Sequence, residues 1–399
     1  MFSGCDRINE VARRRVRKGI GRGGDILFTH RATVGRMARV APEAPEFVAN
    51  PGVTVWRVLD RNVLDPNYLY YAMQSKFFMD QVWAEAGNTD TFPYISLTQQ
   101  RGLRTVVPDV KVQCEVGAVL GALDDRIALL RETNATLEAI AQALFKSWFV
   151  DFDPVRAKQQ GLVPVGMDEA TAALFPGALE QTDQGDVPEG WQTVSLGELV
   201  SRHRGSIQTR PFGSQLHAAD YVPEGVPVVM PKDISNRRAT TGSVARVRAE
   251  DAQRLARHQL QPGDIVFSRR GDVERHALIT GREVGWLCGT GCLLVRPAAW
   301  QSPGFLSMLL DAPRARTWLV QHAVGATMPN LNTGILASVP VVLPPQALLT
   351  AFESLVAVTV EQCSRNATMA ETLAALRDNL LPRLISGQLR LLEAEALAA

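Results

Sequence analysis

Two stretches of the chain carry the same alternation of apolar and polar positions. From Val112 to Phe149, Val116, Leu120, Leu123, Ile127, Leu130, Asn134, Leu137, Ala141, Leu144 and Trp148 fall at alternating steps of four and three. From Ala347 to Ile385, Leu348, Phe352, Leu355, Thr359, Gln362, Asn366, Met369, Leu373, Leu376 and Leu380 repeat that spacing at a constant offset of 232 residues. A sustained 3.5-residue repeat predicts two long helices with coiled-coil seams. At about 1.5 Å per residue each seam is roughly 48 Å long. Such a helix cannot bury its seam alone, and the other copy is the natural partner. The second seam is the more polar, because Thr359, Gln362 and Asn366 occupy its middle. Antiparallel pairing, midpoint to midpoint, sets Asn134 opposite Gln362, Asn366 opposite Leu130 and Thr359 opposite Leu137, which predicts a polar layer near the centre.

The helices are part of a larger duplication. Gly24-Asp25-Ile26-Leu27-Phe28-Thr29-His30-Arg31 matches Gly263-Asp264-Ile265-Val266-Phe267-Ser268-Arg269-Arg270 at an offset of 239. Asp65-Pro66-Asn67-Tyr68-Leu69 matches Ser302-Pro303-Gly304-Phe305-Leu306, Thr91-Phe92-Pro93 matches Thr327-Met328-Pro329, and Pro108 matches Pro344. Each copy reads as a Gly-Asp turn into a strand, a helix-like segment (Tyr68 to Trp83; Phe305 to His322), a polar loop with Pro93 or Pro329, a strand-like run (Arg104 to Val107; Val339 to Leu343), and then the long helix. The predicted fold is α+β: two mixed α/β globules separated by an antiparallel pair of long helices, with internal pseudo-two-fold repetition. The expected boundaries are 1–108 for the first globule, 109–150 for its helix, 151–190 for a Pro- and Gly-rich connector with one short helix at Glu169 to Ala173, 191–345 for the second globule, 346–386 for its helix and 387–399 for a tail. The second copy has about 50 residues between Trp191 and Gly263 without counterparts in the first, so the first globule reads as shortened at its start.

Composition changes this picture little. The apolar fraction of 46% and charged fraction of 21% are those of an ordinary globular chain. No apolar run approaches 18 residues, and no signal core opens the chain. The five scattered cysteines fit free thiols in a reducing cytoplasm, and Cys288 and Cys292 lack the companions of a zinc site. The net charge is +1, yet Arg13, Arg14, Arg15, Arg17, Lys18, Arg22, Arg31, Arg36 and Arg39 meet a single acid, Asp25, between residues 11 and 40. A basic face on a neutral chain suits phosphate binding, and equally a solvated surface.

Catalytic motifs are missing. There is no phosphate-binding loop and no nucleophile elbow, and the six histidines are unpaired in sequence. Asp65-Pro66-Asn67-Tyr68 resembles a methyltransferase loop superficially, but its repeat partner keeps none of that chemistry; it reads as a capped helix start. The concentrated polar residues instead follow the Gly-Asp strands and fill neighbouring loops. They are His30, Arg31 and Arg36 with Tyr94, Gln99 and Arg101 in the first copy, and Lys232, Arg237, Arg238, Arg269, Arg270, Arg275 and Asn330 in the second. Arg and Lys bind phosphates, and Arg, Asn and Gln can read base edges.

Longer motifs carry a family resemblance. They are Leu144-Phe145-Lys146-Ser147-Trp148-Phe149-Val150-Asp151-Phe152-Asp153-Pro154, then Gly166-Met167-Asp168-Glu169 with Ala173-Leu174-Phe175-Pro176, then Gly190-Trp191 with Leu196-Gly197-Glu198-Leu199, and finally Leu376 to Leu389 (Leu-Arg-Asp-Asn-Leu-Leu-Pro-Arg-Leu-Ile-Ser-Gly-Gln-Leu). With the two Gly-Asp-Ile or Gly-Asp-Ile-Val strands they make the chain resemble, over almost its whole length, the specificity (S) subunit of type I restriction-modification systems. The resemblance implies two target-recognition domains, each reading half of a split double-stranded DNA site, held apart by the helices acting as a ruler. It implies a cytoplasmic, non-catalytic scaffold for phage defence. The scaffold carries two modification subunits, which bind S-adenosylmethionine and methylate adenine N6, and restriction subunits, which use ATP and Mg; no cofactor is expected on this chain. The family supplies no short motif for base contacts, so no contact residue is carried over. The competing readings are an enzyme fused to recognition domains, a coiled-coil adaptor that binds only proteins, and a specificity subunit with one working half-site reader.

Overall fold

A computed structural model describes residues 4–87, 92–182, 185–209, 216–240, 244–297, 300, 302–325 and 327–389. Thr91 of the proline-loop motif and residues 390–399 of the expected tail lie outside the described residues. The long helices run Val110–Phe149 and Gln346–Ile385. The chain divides into two compact units, 1–131 with 367–399, and 132–366. Each long helix therefore gives one half to each unit. The dividing lines fall inside the helices, not at their ends, because each globule packs tightly on the helical turns nearest to it.

In the unit of 1–131 and 367–399, a three-stranded antiparallel sheet has the order 37–39, 26–29, 53–56. Phe28 is fully buried, and Trp56 meets both Phe28 and Phe78 edge-on. The expected single helix over Tyr68 to Trp83 is two helices, Pro66–Gln74 and Lys76–Glu85, broken at Ser75, whose side chain caps the second. Asp65 caps the first by accepting from the Tyr68 N–H at 2.8 Å, as its sequence position suggests. Tyr68 and Tyr71 then pack with Val116 and Leu120 of the first long helix and Leu380 and Leu384 of the second.

The unit of 132–366 repeats this plan with more sheet around it. Strands 276–278, 265–268, 292–296 and 206–209 pair in that order, all antiparallel. A second sheet joins 221–222, 245–247, 226–229 and 287–288. The helix-like segment is again two helices, Pro303–Asp311 and Pro313–His322. The stretch expected as a connector is part of the core: Phe152 and Phe175 are buried against Trp191 and Trp148, in a cluster with Phe149, Phe305 and Phe352. Its short helix is Glu169–Ala173, beside Asp153–Gln159 and a hairpin of 179–182 and 185–188.

The two sheets differ in one respect. Strand 292–296 takes a further partner, 206–209, whereas among the described residues no strand pairs with the other side of 53–56. Likewise Pro340–Leu343 pairs with Gln192–Ser195, while Arg104 to Val107 forms no strand. A strand needs a partner for its backbone groups; here the Gln81 side chain takes that part, donating to the Arg104 carbonyl and accepting from its N–H, each at 2.9 Å.

The duplication extends to individual hydrogen bonds. Gly24 and Gly263 hold φ of 85° and 86°, in the left-handed region open to glycine. The acid that follows each is buried and gripped by an arginine no motif announced. Arg57 donates to Asp25 at 2.7 and 2.6 Å and to the Ile20 carbonyl at 3.0 Å. Arg296 donates to Asp264 at 2.8 and 2.6 Å and to the Gln259 carbonyl at 2.6 Å. The Gly-Asp motif is thus a fold element: the carboxylate also accepts the N–H of Arg22 or Gln261 and closes the turn into the strand.

The helices run antiparallel within each unit. Ile127 and Leu130 cluster with Ala370 in one; Phe145 and Phe149 meet Phe352 in the other. Along the first helix Leu123, Ile127 and Leu130 are buried, and Leu137 is half-buried. The second seam differs from its expected course. Leu355 is 53% exposed, Met369 is 49% exposed, and Gln362 is exposed. The buried positions are Val356, Cys363 and Ala370, which keep the heptad spacing from Phe352 with the steps of three and four reversed. Small residues at Cys363 and Ala370 let the helices approach, a packing term that a search for large apolar side chains overlooks. Thr359 is half-buried and Asn366 is buried. The polar layer forms with the two asparagines facing each other: Asn366 Nδ2 donates to Asn134 Oδ1 at 2.8 Å, Asn134 Nδ2 to the Cys363 carbonyl at 2.9 Å, and Gln362 Nε2 to Asn366 Oδ1 at 2.9 Å.

Two outcomes follow from these contacts. Replacing Asp264 with Ala strands the Arg296 charge in a buried site and lowers stability by about 3–5 kcal/mol; Asp25→Ala costs less, because Arg57 is more exposed. Denaturant unfolding of the two variants checks the order. Replacing Asn134 and Asn366 together with Leu raises the melting temperature, since a satisfied polar layer gives way to apolar contact. Either single change lowers it by leaving one amide unpaired, at about 1–3 kcal/mol.

Candidate nucleic-acid interface

The candidate residues follow the Gly-Asp strands because those strands end at the same loop pair in both units. In the first, the Ala32 N–H donates to the Pro93 carbonyl and the Ile95 N–H to the His30 carbonyl, both at 3.0 Å, with Arg31 bridged to Tyr94. In the second, the Gly271 N–H donates to the Pro329 carbonyl at 3.0 Å and the Leu331 N–H to the Arg269 carbonyl at 2.9 Å, with Arg270 bridged to Asn330. Ala32 holds a φ of 64° where its counterpart Gly271 holds 75°, so the turn keeps its left-handed form even without glycine. Each loop pair brings a basic residue from the strand end beside a polar or aromatic residue of the proline loop.

Within this frame the candidates separate by what they touch. Arg31, Arg36 and Arg101 are exposed, and no carboxylate lies within ion-pair reach of them among the described residues. Tyr94 is half exposed and meets the His30 ring at 5.7 Å. His30 bonds Thr54 Oγ1 at 2.9 Å, and burial followed by the Arg31 charge pushes its pKa down, so it stays neutral near pH 7. Gln99 serves the fold, closing a capping box with Ser96 and donating to the Glu85 carbonyl. In the second unit Arg270 is exposed, Arg275 pairs with Asp272 at 2.6 Å on the surface, and Lys232 reaches Asp233 at 3.0 Å. Arg269 Nε donates to Asn330 Oδ1 and to the Leu331 carbonyl, both at 3.2 Å, so this pair clasps the loops together.

Arg237 and Arg238 stand apart from the loop pair. Arg237 is largely buried beside Asp311, and burial pushes its pKa down. Arg238 is turned onto the long helices, toward Glu138 and the Cys363 carbonyl. Arg237 and Arg275 line one polar cavity of about 380 Å³ with Glu138, Glu274, Asp311 and Arg316, where the opposite charges face each other. The basic run near the start is also partly matched, since Arg13 and Arg22 both reach Glu46. Arg39 bonds Asn67 at 2.9 Å and lies over the Tyr70 and Tyr71 rings at 5.1 and 5.6 Å. Sequence reasoning gave that contact no signal, because Tyr70 and Tyr71 read as ordinary helix residues.

A duplicated α+β protein with equivalent arginine-bearing loop pairs, each globule seated on antiparallel helical segments, is the class this arrangement defines. No family model matches the chain. A curated relative from Haemophilus influenzae, the type I restriction enzyme HindI specificity subunit, is 27% identical over 410 residues, covering 92% of this chain and 86% of the relative. The type I restriction enzyme MjaIX specificity subunit of Methanocaldococcus jannaschii is 23% identical over 388 residues, covering 93% of this chain and 78% of its own. Among solved structures, the S subunit of a type I restriction-modification system from M. genitalium shares the fold with a TM-score of 0.54 at 17% identity, over 91% of this chain and 83% of that one. The chain is a homologue of type I restriction-enzyme specificity subunits. No helix among the described residues is long and apolar enough to cross a membrane.

Two buried histidines in the second unit give a pH dependence. His258 and His276 are pushed down to about 4, first by burial, from an ordinary 6.5. The folded unit resists protonation that the unfolded chain accepts, so stability is full above pH 6.5 and falls as the pH drops toward 4. Unfolding free energy measured across that range should decline, and His276→Asn should flatten the decline.

Proposed function

We propose that this chain is the DNA-specificity subunit of a type I restriction-modification complex acting in the cytoplasm. Each unit reads one half of a bipartite site in double-stranded DNA, and the paired long helices hold the two half-sites at fixed separation. The observation that carries this reading is the duplication of one hydrogen-bonded loop plan, each copy ending in an exposed arginine, Arg31 or Arg270. Arg31, Arg36 and Arg101 in one unit, and Lys232, Arg270 and Arg275 in the other, contact phosphates and base edges. Tyr94 and Asn330 shape the same loops. A rigid helical spacer sets a distance more sharply than a flexible linker.

The chain acts through partners. Two modification subunits bind S-adenosylmethionine and methylate adenine N6, and restriction subunits bring ATP- and Mg-dependent cleavage. The exposed apolar side chains on the long helices (Val112, Leu129, Ile140, Leu355, Val358 and Met369) supply docking area for the modification subunits. Isolated large apolar residues are common on surfaces, but six on two helices at positions outside the buried seam exceed what helix pairing requires.

A second reading, a specificity subunit with one working half-site reader, is favoured by one observation. The sheet of the first unit leaves the other side of 53–56 without a partner strand among the described residues, while its counterpart is flanked by 206–209.

Gel-shift assays of the assembled methyltransferase on its target separate these readings. Arg31→Ala and Arg270→Ala should each weaken binding, with a loss of roughly 1–3 kcal/mol where a base is read and a shallower salt dependence where a phosphate is held. An effect of Arg270→Ala alone supports the single-reader form. No sequence-dependent binding at any salt concentration leaves a protein-only adaptor. Methyl transfer by the chain without partners contradicts the scaffold reading.

A further inference from the structure

In each unit, beside polar contacts to a single helix such as Gln113 with Asp65 or Glu353 with Gly304, one polar triad joins the globule to both long helices at once, and the two triads are chemically different. In the unit of 132–366, the hairpin of Ile234–Ser235 and Arg238–Ala239 turns through Asn236 and Arg237, with φ of 49° and 57°. Consecutive left-handed residues are the tight turn that matches the twist of paired strands. The turn delivers Arg238 to the helices. Its guanidinium lies 2.5 Å from Glu138 on the first helix and donates to the Cys363 carbonyl on the second at 3.3 Å. That carbonyl also accepts from Asn134 in the polar layer. The hairpin is joined to the reading sheet, because the Leu278 N–H donates to the Arg237 carbonyl at 3.0 Å. A continuous chain of contacts therefore runs from the asparagine layer through Arg238 to the strand that follows the Arg269–Arg275 loop.

The other unit makes the same three-way junction from different residues. Tyr71 of its globule donates to Asp124 of the first helix at 2.7 Å, and Arg377 of the second helix donates to the same carboxylate at 2.5 Å. At the positions equivalent to Tyr71 and Asp124, the second unit has Met308 and Val356, so its polar junction has moved to the hairpin. A junction that recurs at a different place in each copy is unlike the Gly-Asp-Arg clasp, which both copies keep at the same positions. The apolar contacts already bind each globule to its helices. What a directional, charge-assisted triad adds is a fixed angle.

We propose that these triads are positioning devices that fix the angle at which each globule presents its loops, and that Arg238 is the residue through which the unit of 132–366 enforces the spacing between half-sites. The inference rests on the bipartite reading above. Arg238 is a positioning residue, not a DNA contact, despite its place in a basic loop.

The test uses the complete methyltransferase, assembled from this chain and its modification subunits, with duplexes that keep both half-sites and vary the gap by one base pair either way. The readout is the ratio of methylation at the native gap to that at the altered gaps. Arg238→Met should reduce this ratio by roughly 2- to 30-fold, and Glu138→Gln, which keeps the shape and one acceptor, should reduce it less. Asp124→Asn should act in the same direction through the other unit. A merely structural role would lower melting temperature and methylation at every gap alike, leaving the ratio unchanged. An unchanged ratio in Arg238→Met, or in folded Glu138→Gln and Asp124→Asn if Arg238→Met does not fold, overturns the proposal. A wild-type complex indifferent to the gap overturns the bipartite reading, and this proposal with it.

Discussion

The antiparallel pairing of the two long helices is the constraint on which everything else depends. Neither helix can bury its apolar stripe alone, so each globule folds around segments of both. In one unit Tyr68 and Tyr71 close over Val116, Leu120, Leu380 and Leu384; in the other Phe145, Phe149, Phe305 and Phe352 form a continuous aromatic core. Residues more than two hundred positions apart in sequence are thereby neighbours within a single unit. The buried Asn134–Asn366 layer costs apolar contact, and fixing register is the best-attested use of a polar group in a helical seam.

On this support the chain repeats one loop plan. The left-handed glycine, the buried aspartate and its arginine close a turn into a strand, and the strand end docks on the proline loop through the same pair of backbone hydrogen bonds in both copies. These shared bonds carry no specificity. What differs is the side chain displayed: Tyr94 against Asn330, His30 against Arg269, Ala32 against Gly271. In the proposed reading, this invariant frame with variable display is what lets one fold address two unlike half-sites.

Much of this was legible in the sequence, and the failures have physical reasons. The long helices were readable to within a residue or two because a heptad repeat over forty residues is a strong periodic signal. The course of the second seam was not, since Cys363 and Ala370 are apolar but small and do not stand out in the pattern, while the larger Leu355 and Met369 face outward. The Gly-Asp repeats were visible, but Arg57 and Arg296 lie 32 residues beyond their aspartates, where nothing local marks them. The strand-end and proline-loop residues lie side by side in each unit, whereas Arg237 and Arg238 do not join them. Composition could not reveal that Arg237 and Arg238 turn inward, because the direction of a side chain is set by the hairpin's turn rather than by its charge. The strand expected at Arg104 to Val107 has suitable residues and no partner, and a strand is a property of the pair.

The central claim is that one chain reads two DNA segments at a fixed separation set by its helices. The most direct test is to map methylated adenines across the genome of a cell that expresses this chain with its modification subunits, and to compare it with a cell lacking the chain. The account predicts a chain-dependent motif of two defined blocks separated by an undefined gap of one constant length. A single continuous motif, or two blocks separated by gaps of varying length, would contradict it.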